Sequence, residues 1–182
     1  GVIAVTSDNI DLNGDTYTSD GDITLTGTVD LDAVAGAVAI TTGDNNLLVT
    51  GTLDDTGSNN DLNIVAGTGT VTLQSDAGAS NALASLTVTS AMQSDLADVV
   101  VTGVIAVTSD NIDLNGDTYT AGDDITLTGD VDLDSAGTIT ITGGGAAGED
   151  VTVTGTIDDD ATDASDLVIV AALGAVDLQG NV

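Results

Sequence analysis

The sequence predicts an all-β chain wound as a parallel β-solenoid, and three observations carry that expectation. Hydrophobic residues come in pairs two apart, which is the alternation of a strand with one buried face. Successive pairs begin only six to nine residues apart at four of their eight steps, too tight there for hairpins of ordinary strands. No stretch between them carries a helical period.

The pairs run in order as Ile3/Val5, Ile10/Leu12, Ile23/Leu25, Val29/Leu31, Val38/Ile40, Leu62/Ile64, Val71/Leu73, Leu86/Val88 and Val99/Val101. Thr, Asp or Gly flanks each, so every pair reads as a strand of four to six residues followed by a corner. The stretch Ser75–Asp98 keeps this rhythm more loosely. Three such strands would make one coil, and coils would stack about 4.8 Å apart. A string of immunoglobulin-like sandwiches is the alternative, because about 100 residues is also the length of one such domain. Sandwich cores normally hold a large aromatic, whereas the only aromatics here are Tyr17 and Tyr119.

Those two tyrosines occupy equivalent places in a long internal repeat. Gly1–Thr18, GVIAVTSDNIDLNGDTYT, recurs unchanged as Gly103–Thr120, an offset of 102 residues. The match continues at that offset through ITLTG (Ile23–Gly27 and Ile125–Gly129) and VDLD (Val29–Asp32 and Val131–Asp134). It then drifts to 104 at Val49–Asp55 against Val153–Asp159, and to 105 where Asp61 answers Asp166. The chain thus divides into a first copy, 1–102, and a second, incomplete copy, 103–182, and repetition of this kind belongs to arrays.

Composition removes whole classes of chemistry. The 182 residues include no Lys, Arg, His, Cys, Pro, Trp or Phe, and all 30 acidic residues are Asp except Glu149. Thiol nucleophiles, Ser-His-Asp relays, Schiff bases and ordinary zinc or haem sites are all absent from that alphabet. Paired carboxylates could still serve a glycosidase, but no aromatic platform for stacking a sugar accompanies them, and the expectation is a protein that is not an enzyme. Disulfides and Lys-Asn isopeptide staples are ruled out too, leaving packing and backbone pairing to stabilise the fold.

A net charge of −30 excludes attraction to nucleic acid or to anionic lipid, and hydrophobic runs such as Leu167–Leu173 are too short to span a bilayer. Seven coils spanning roughly 35 Å would carry nearly one charge per Å, denser than duplex DNA, so a rod of this kind gathers counterions. Asp8, Asp11 and Asp15, and their copies Asp110, Asp113 and Asp117, cluster with Asn9 and Asn13 at expected corners. Hard oxygen ligands on turns suit Ca²⁺ and make these six residues candidate metal ligands. Asp and Asn also cap turns through their own backbone, and neither an EF-hand loop nor a GGxGxD nonapeptide is present. Asp54-Asp55 and Asp158-Asp159-Asp160 are further acidic corners. Thr-x-Thr recurs at Thr16–Thr18, Thr24–Thr26, Thr70–Thr72, Thr87–Thr89, Thr138–Thr140 and Thr152–Thr154. Outward Thr ladders could face ice or another crystalline surface, although Thr is also simply a good exposed strand residue.

The phrases LASLTVTS (Leu83–Ser90), NGDTYTSDGDITLTG (Asn13–Gly27) and GTVTLQS (Gly69–Ser75) resemble the repeats of filamentous-haemagglutinin-like and other giant β-strand-repeat adhesins of bacteria. The resemblance implies a right-handed parallel β-helix, export to the cell surface, and service as a stalk, adhesin or biofilm fibre. The expected partners are neighbouring copies of the same repeat, with a host-cell or surface ligand where the segment is adhesive.

Overall fold

The alternation of aliphatic and polar residues builds strands that turn one face inward, and the corners between them are short. The computed structural model describes residues 1–34, 36–159 and 164–182. Among these residues nineteen strands are present and no helix, and all strand pairs are parallel. The chain is a β-solenoid of about seven turns. Parallel pairing throughout excludes the sandwich alternative, whose sheets are antiparallel.

Three columns of stacked inward residues define three faces. The first face runs Ile3, Ile23, Leu47, Val71, Ser94, Ile112, Val131, Ile157. The second runs Ile10, Val29, Leu53, Ala77, Val99, Tyr119, Ile141, Ile169. The third runs Tyr17, Ile40, Ile64, Val88, Val107, Leu127, Val153, Leu178, with a parallel column from Val38 to Val176 beside it. Between the end coils nearly all of these side chains are buried, and each rests on a similar one in the next coil. Burying each large aliphatic stabilises the fold by about 1.5–3 kcal/mol. Stacked β-branched and Leu side chains thereby do what a thicker core leaves to aromatics.

Corner lengths vary. Successive members of the first face are 20, 24, 24, 23, 18, 19 and 26 residues apart. Some strands bend through a corner without ending: Ile3–Leu12 pairs with Ile23–Leu31 through a bulge between Thr6 and Asn9, and Ile105–Leu114 pairs with Ile125–Leu133 through the same bulge. Glycine is required at that bend. Gly129 has φ 140°, and a Cβ there would stand 1.9 Å from the Ser109 carbonyl oxygen. Gly27, its counterpart, has φ 130° and would meet the Ser7 carbonyl oxygen at 1.7 Å.

The solenoid passes from the first copy into the second without a break: Ile105 pairs with Leu86 and Ile112 with Ser94. Local pairing is the same in both copies, Ile3 with Ile23 and Tyr17 with Ile40 in one, Ile105 with Ile125 and Tyr119 with Ile141 in the other. The faces are not the same. Four coils separate Ile3 from Ser94 on the first face, and Ile105 lies two faces further on, so one 102-residue unit makes 4⅔ coils. The second copy is turned by a third of a revolution.

Candidate functional surfaces

The inward residues are committed to the core, so function lies with what the strands turn outward and with the two ends. On the first face the outward positions of successive coils are Thr72, Asp95, Asp113, Asp132 and Asp158, in register. Parallel pairing spaces such neighbours about 4.8 Å apart, a repulsive arrangement for carboxylates. Polar neighbours hold the column together. Gln93 Nε2 donates to Asp95 Oδ1 at 2.8 Å and to Asp113 Oδ2 at 2.5 Å, Thr72 Oγ1 donates to Asp95 Oδ2 at 3.0 Å, and Asn111 Nδ2 donates to Asp113 Oδ1 at 2.5 Å. Partial burial, with Asp95 and Asp134 nearby, raises the Asp113 carboxyl to about 6, against the lowering effect of the Gln93 hydrogen bond. The column edges an open depression of about 380 Å³ that Gln74 and Asn115 also line. A shorter column, Asp11, Asp30 and Asp54, runs along the second face.

The six candidate metal ligands are placed at three kinds of position. Asp8 and Asp110 sit at the bulge, Asp11 and Asp113 on outward strand positions, and Asp15 and Asp117 in the following turn. Asn9 Nδ2 donates to Asp11 Oδ1 at 2.6 Å, and Ser135 Oγ donates to Asp117 Oδ1. Asp110 opens onto a groove of about 800 Å³ that crosses several coils and includes Met92, Thr108, Thr128, Asp130 and Thr154. Among the described residues no group of three or more acidic side chains is gathered as a metal cluster.

Asp55 is a corner cap. Buried, it accepts from the backbone N–H of Gly57, Asn59 and Asn60 at 3.1, 2.8 and 3.3 Å and from Asn60 Nδ2 at 2.9 Å. Asp54 Oδ1 likewise accepts from the N–H of Ser80 at 2.9 Å and of Asn81 at 3.2 Å. Asp158 and Asp159 are exposed, and Asp160 lies outside the described residues. The threonines form only short ladders. One outward column of the third face reads Ala39, Asn63, Thr87, Ala106, Thr126, Thr152, Asp177.

Reading the sequence singled out the corner aspartates and missed Asp95, Asp132 and Gln93 in the ladder. The signal was the Asp-Leu dipeptide that closes strands at Asp95-Leu96, Asp113-Leu114 and Asp132-Leu133, with Leu inward and Asp outward each time. No family model, no curated protein and no solved structure matches the chain.

At the N-terminal end the core lies open. Ile3, Val5, Leu12, Tyr17, Ile23, Leu25 and Ile40 line an apolar hollow of about 180 Å³. The last coil also exposes aliphatics, among them Val168, Val170, Val176 and Leu178.

Proposed function

We propose that the chain is a structural segment of an extracellular fibre or adhesin stalk, a stiff spacer with no catalytic role. The observation that carries this reading is the unbroken stacking of one sequence copy on the next, from Leu86–Val100 onto Ile105–Thr120, which lets length grow with copy number. Backbone hydrogen bonds run along the axis, so the element resists extension in the direction in which a stalk is pulled. A surface with neither Lys nor Arg offers trypsin-like proteases no cleavage site, which suits exposure outside the cell.

Cations belong to the same reading. Thirty carboxylates with no basic side chain repel one another along the rod, and the Asp95–Asp158 column concentrates that repulsion. Calcium or other divalent ions held between carboxylates of neighbouring coils would relieve it, as would high salt. The partners in this reading are further copies of the same unit.

Solution scattering and electron microscopy on arrays of one, two and three units test the proposal. At about 4.8 Å per coil each added 102-residue unit should lengthen a rod of constant width by about 22 Å. Beads of independent domains, or arrays that fold back into compact particles, would refute it.

A further inference from the structure

The same eighteen residues occur twice, once with a coil beneath them and once without. Gly103–Thr120 rests on Leu83–Val101 through nine register pairs: Ile105–Val107 on Leu86–Val88, Asn111–Leu114 on Gln93–Leu96, and Tyr119–Thr120 on Val99–Val100. The backbone N–H groups of Asp110, Asn111 and Asn115 donate to Ala91, Met92 and Leu96 at 3.2, 3.1 and 2.9 Å. Asp98 Oδ1 accepts from the N–H groups of Asp117 and Thr118 at 2.7 and 3.0 Å. Side chains complete the seat. Tyr119 Oη donates to the Leu96 carbonyl oxygen at 2.7 Å, and the Ser109 and Ser94 hydroxyls meet at 2.6 Å in the core.

Gly1–Thr18 carries every one of the upper groups. Its strand Ile3–Leu12 stands at the end of the sheet and pairs only with Ile23–Leu31. Val5 is 37% exposed where Val107 is 1% exposed, and Tyr17 is half-buried where Tyr119 is buried. The end of the rod is therefore one half of an interface whose other half is already present in the same molecule. We infer that this open N-terminal end is a docking face for one occupant, a coil of the Leu83–Val101 type belonging to a preceding copy of the unit, seated in the register seen at Gly103–Thr120.

The inference deepens the stalk reading and rests on it for its setting. It adds what joins one unit to the next and in which orientation. Because the joint is head to tail and each unit makes 4⅔ coils, it generates an open array in which every unit is turned by a third of a revolution from its neighbour.

The test uses the full chain and the same chain extended at its N-terminus by a duplicate of its own Gly78–Thr102. Hydrogen exchange is followed at the amides of Asp8, Asn9 and Asn13, the counterparts of Asp110, Asn111 and Asn115. In the extended chain these three should slow by about tenfold or more, approaching their counterparts. Protection at Asp110, Asn111 and Asn115 in the same sample reports that the rod is folded. A folded rod with Asp8, Asn9 and Asn13 still exchanging fast would overturn the inference, as would an extension that unfolds the rod. Concentration-dependent protection of the unextended chain would also overturn it, because another molecule's exposed last coil would then be the occupant. The rod itself is judged on the unextended chain, whose length is measured separately by scattering, so the stalk reading can stand where this inference fails.

Discussion

Ile3 and Ile105 hold the same place in two identical stretches of sequence, pair with Ile23 and Ile125 in the same way, and point from different faces of one solenoid. The cause is chemical equivalence of the faces. Each takes aliphatics inward and Thr or Asp outward, so a unit can begin on any of them, and its phase is set by the coil count of the unit before. Three units, fourteen coils, restore the original face. Helical reconstruction of an array should therefore give a rise of about 22 Å per unit and a twist of about 120°. A twist near zero would mean that units realign at each joint and that the phase seen here does not propagate.

The Asp113 carboxyl supplies a pH dependence with a definite sign. Its folded value of about 6 lies above the ordinary carboxylate range, so between about pH 4 and pH 6 the folded state binds more protons than the unfolded chain. The contribution of Asp113 to stability is then fully present below about pH 4 and is lost as pH rises through about 6. Thermal melts at pH 4.5 and pH 7.5 should show the native chain losing stability across that interval, and Asp113→Asn losing less. An Asn keeps the bond from Gln93, gives up the one from Asn111 and carries no charge against Asp95, so at pH 7.5 the variant should melt above the native chain.

Much of the fold was legible in the sequence, and what was not has a physical reason. Inward pairs such as Leu62/Ile64 and Val99/Val101 are buried as their alternation requires. Ser75–Asp98 read as looser because Ala77 and Ser94 take inward positions that other coils give to large aliphatics, which erases the hydrophobic signal without interrupting the stack. Offsets that drift along the second copy fall at corners: Val38 answers Ile139 at 101, Leu47 answers Val151 at 104, and Leu62 answers Leu167 at 105. The carboxylate ladder was hidden because its members lie 18, 19 and 26 residues apart, and only the folded coil lengths bring them into line.

Gly129→Ala should be severe. It places a Cβ against backbone that cannot move without opening the corner, at a φ that L residues rarely adopt. A loss of about 3 kcal/mol in urea unfolding is expected. Gly36→Ala, at φ 78° with open space around it, should cost only about 1 kcal/mol.

Charge repulsion predicts a strong salt response. With 30 acidic side chains and no basic ones, added NaCl can only screen repulsion, so the melting temperature should climb steadily between low salt and about 1 M, where the screening length falls to about 3 Å. Calcium at millimolar concentration and constant ionic strength separates general screening from bound ions. A further rise that a chelator reverses, and that Asp113→Asn or Asp110→Asn diminishes, would assign the ions to the ladder or the groove. Equal melts with Ca²⁺ and with NaCl of matched ionic strength would leave screening alone.

The two tyrosines give the sharpest contrast, because their sequence neighbourhoods are identical and only the coil beneath differs. Tyr119 Oη accepts from the Gly116 N–H at 2.9 Å and donates to the Leu96 carbonyl oxygen in the preceding coil, and burial pushes its phenol well above the ordinary range. Tyr17 Oη accepts the matching bond from Gly14 at 2.9 Å, where the site is exposed. Tyr119→Phe should therefore cost about 1–2 kcal/mol, because the buried Leu96 carbonyl keeps only its bond from the Asn115 N–H and the Gly116 N–H loses its acceptor, whereas Tyr17→Phe should stay within about 0.5 kcal/mol of the native chain. In the chain extended by Gly78–Thr102 the second value should rise to meet the first. A Tyr17→Phe cost that ignores the extension would mean that the phenol has found no carbonyl below it, and that the two copies are alike in sequence but not in how they are joined.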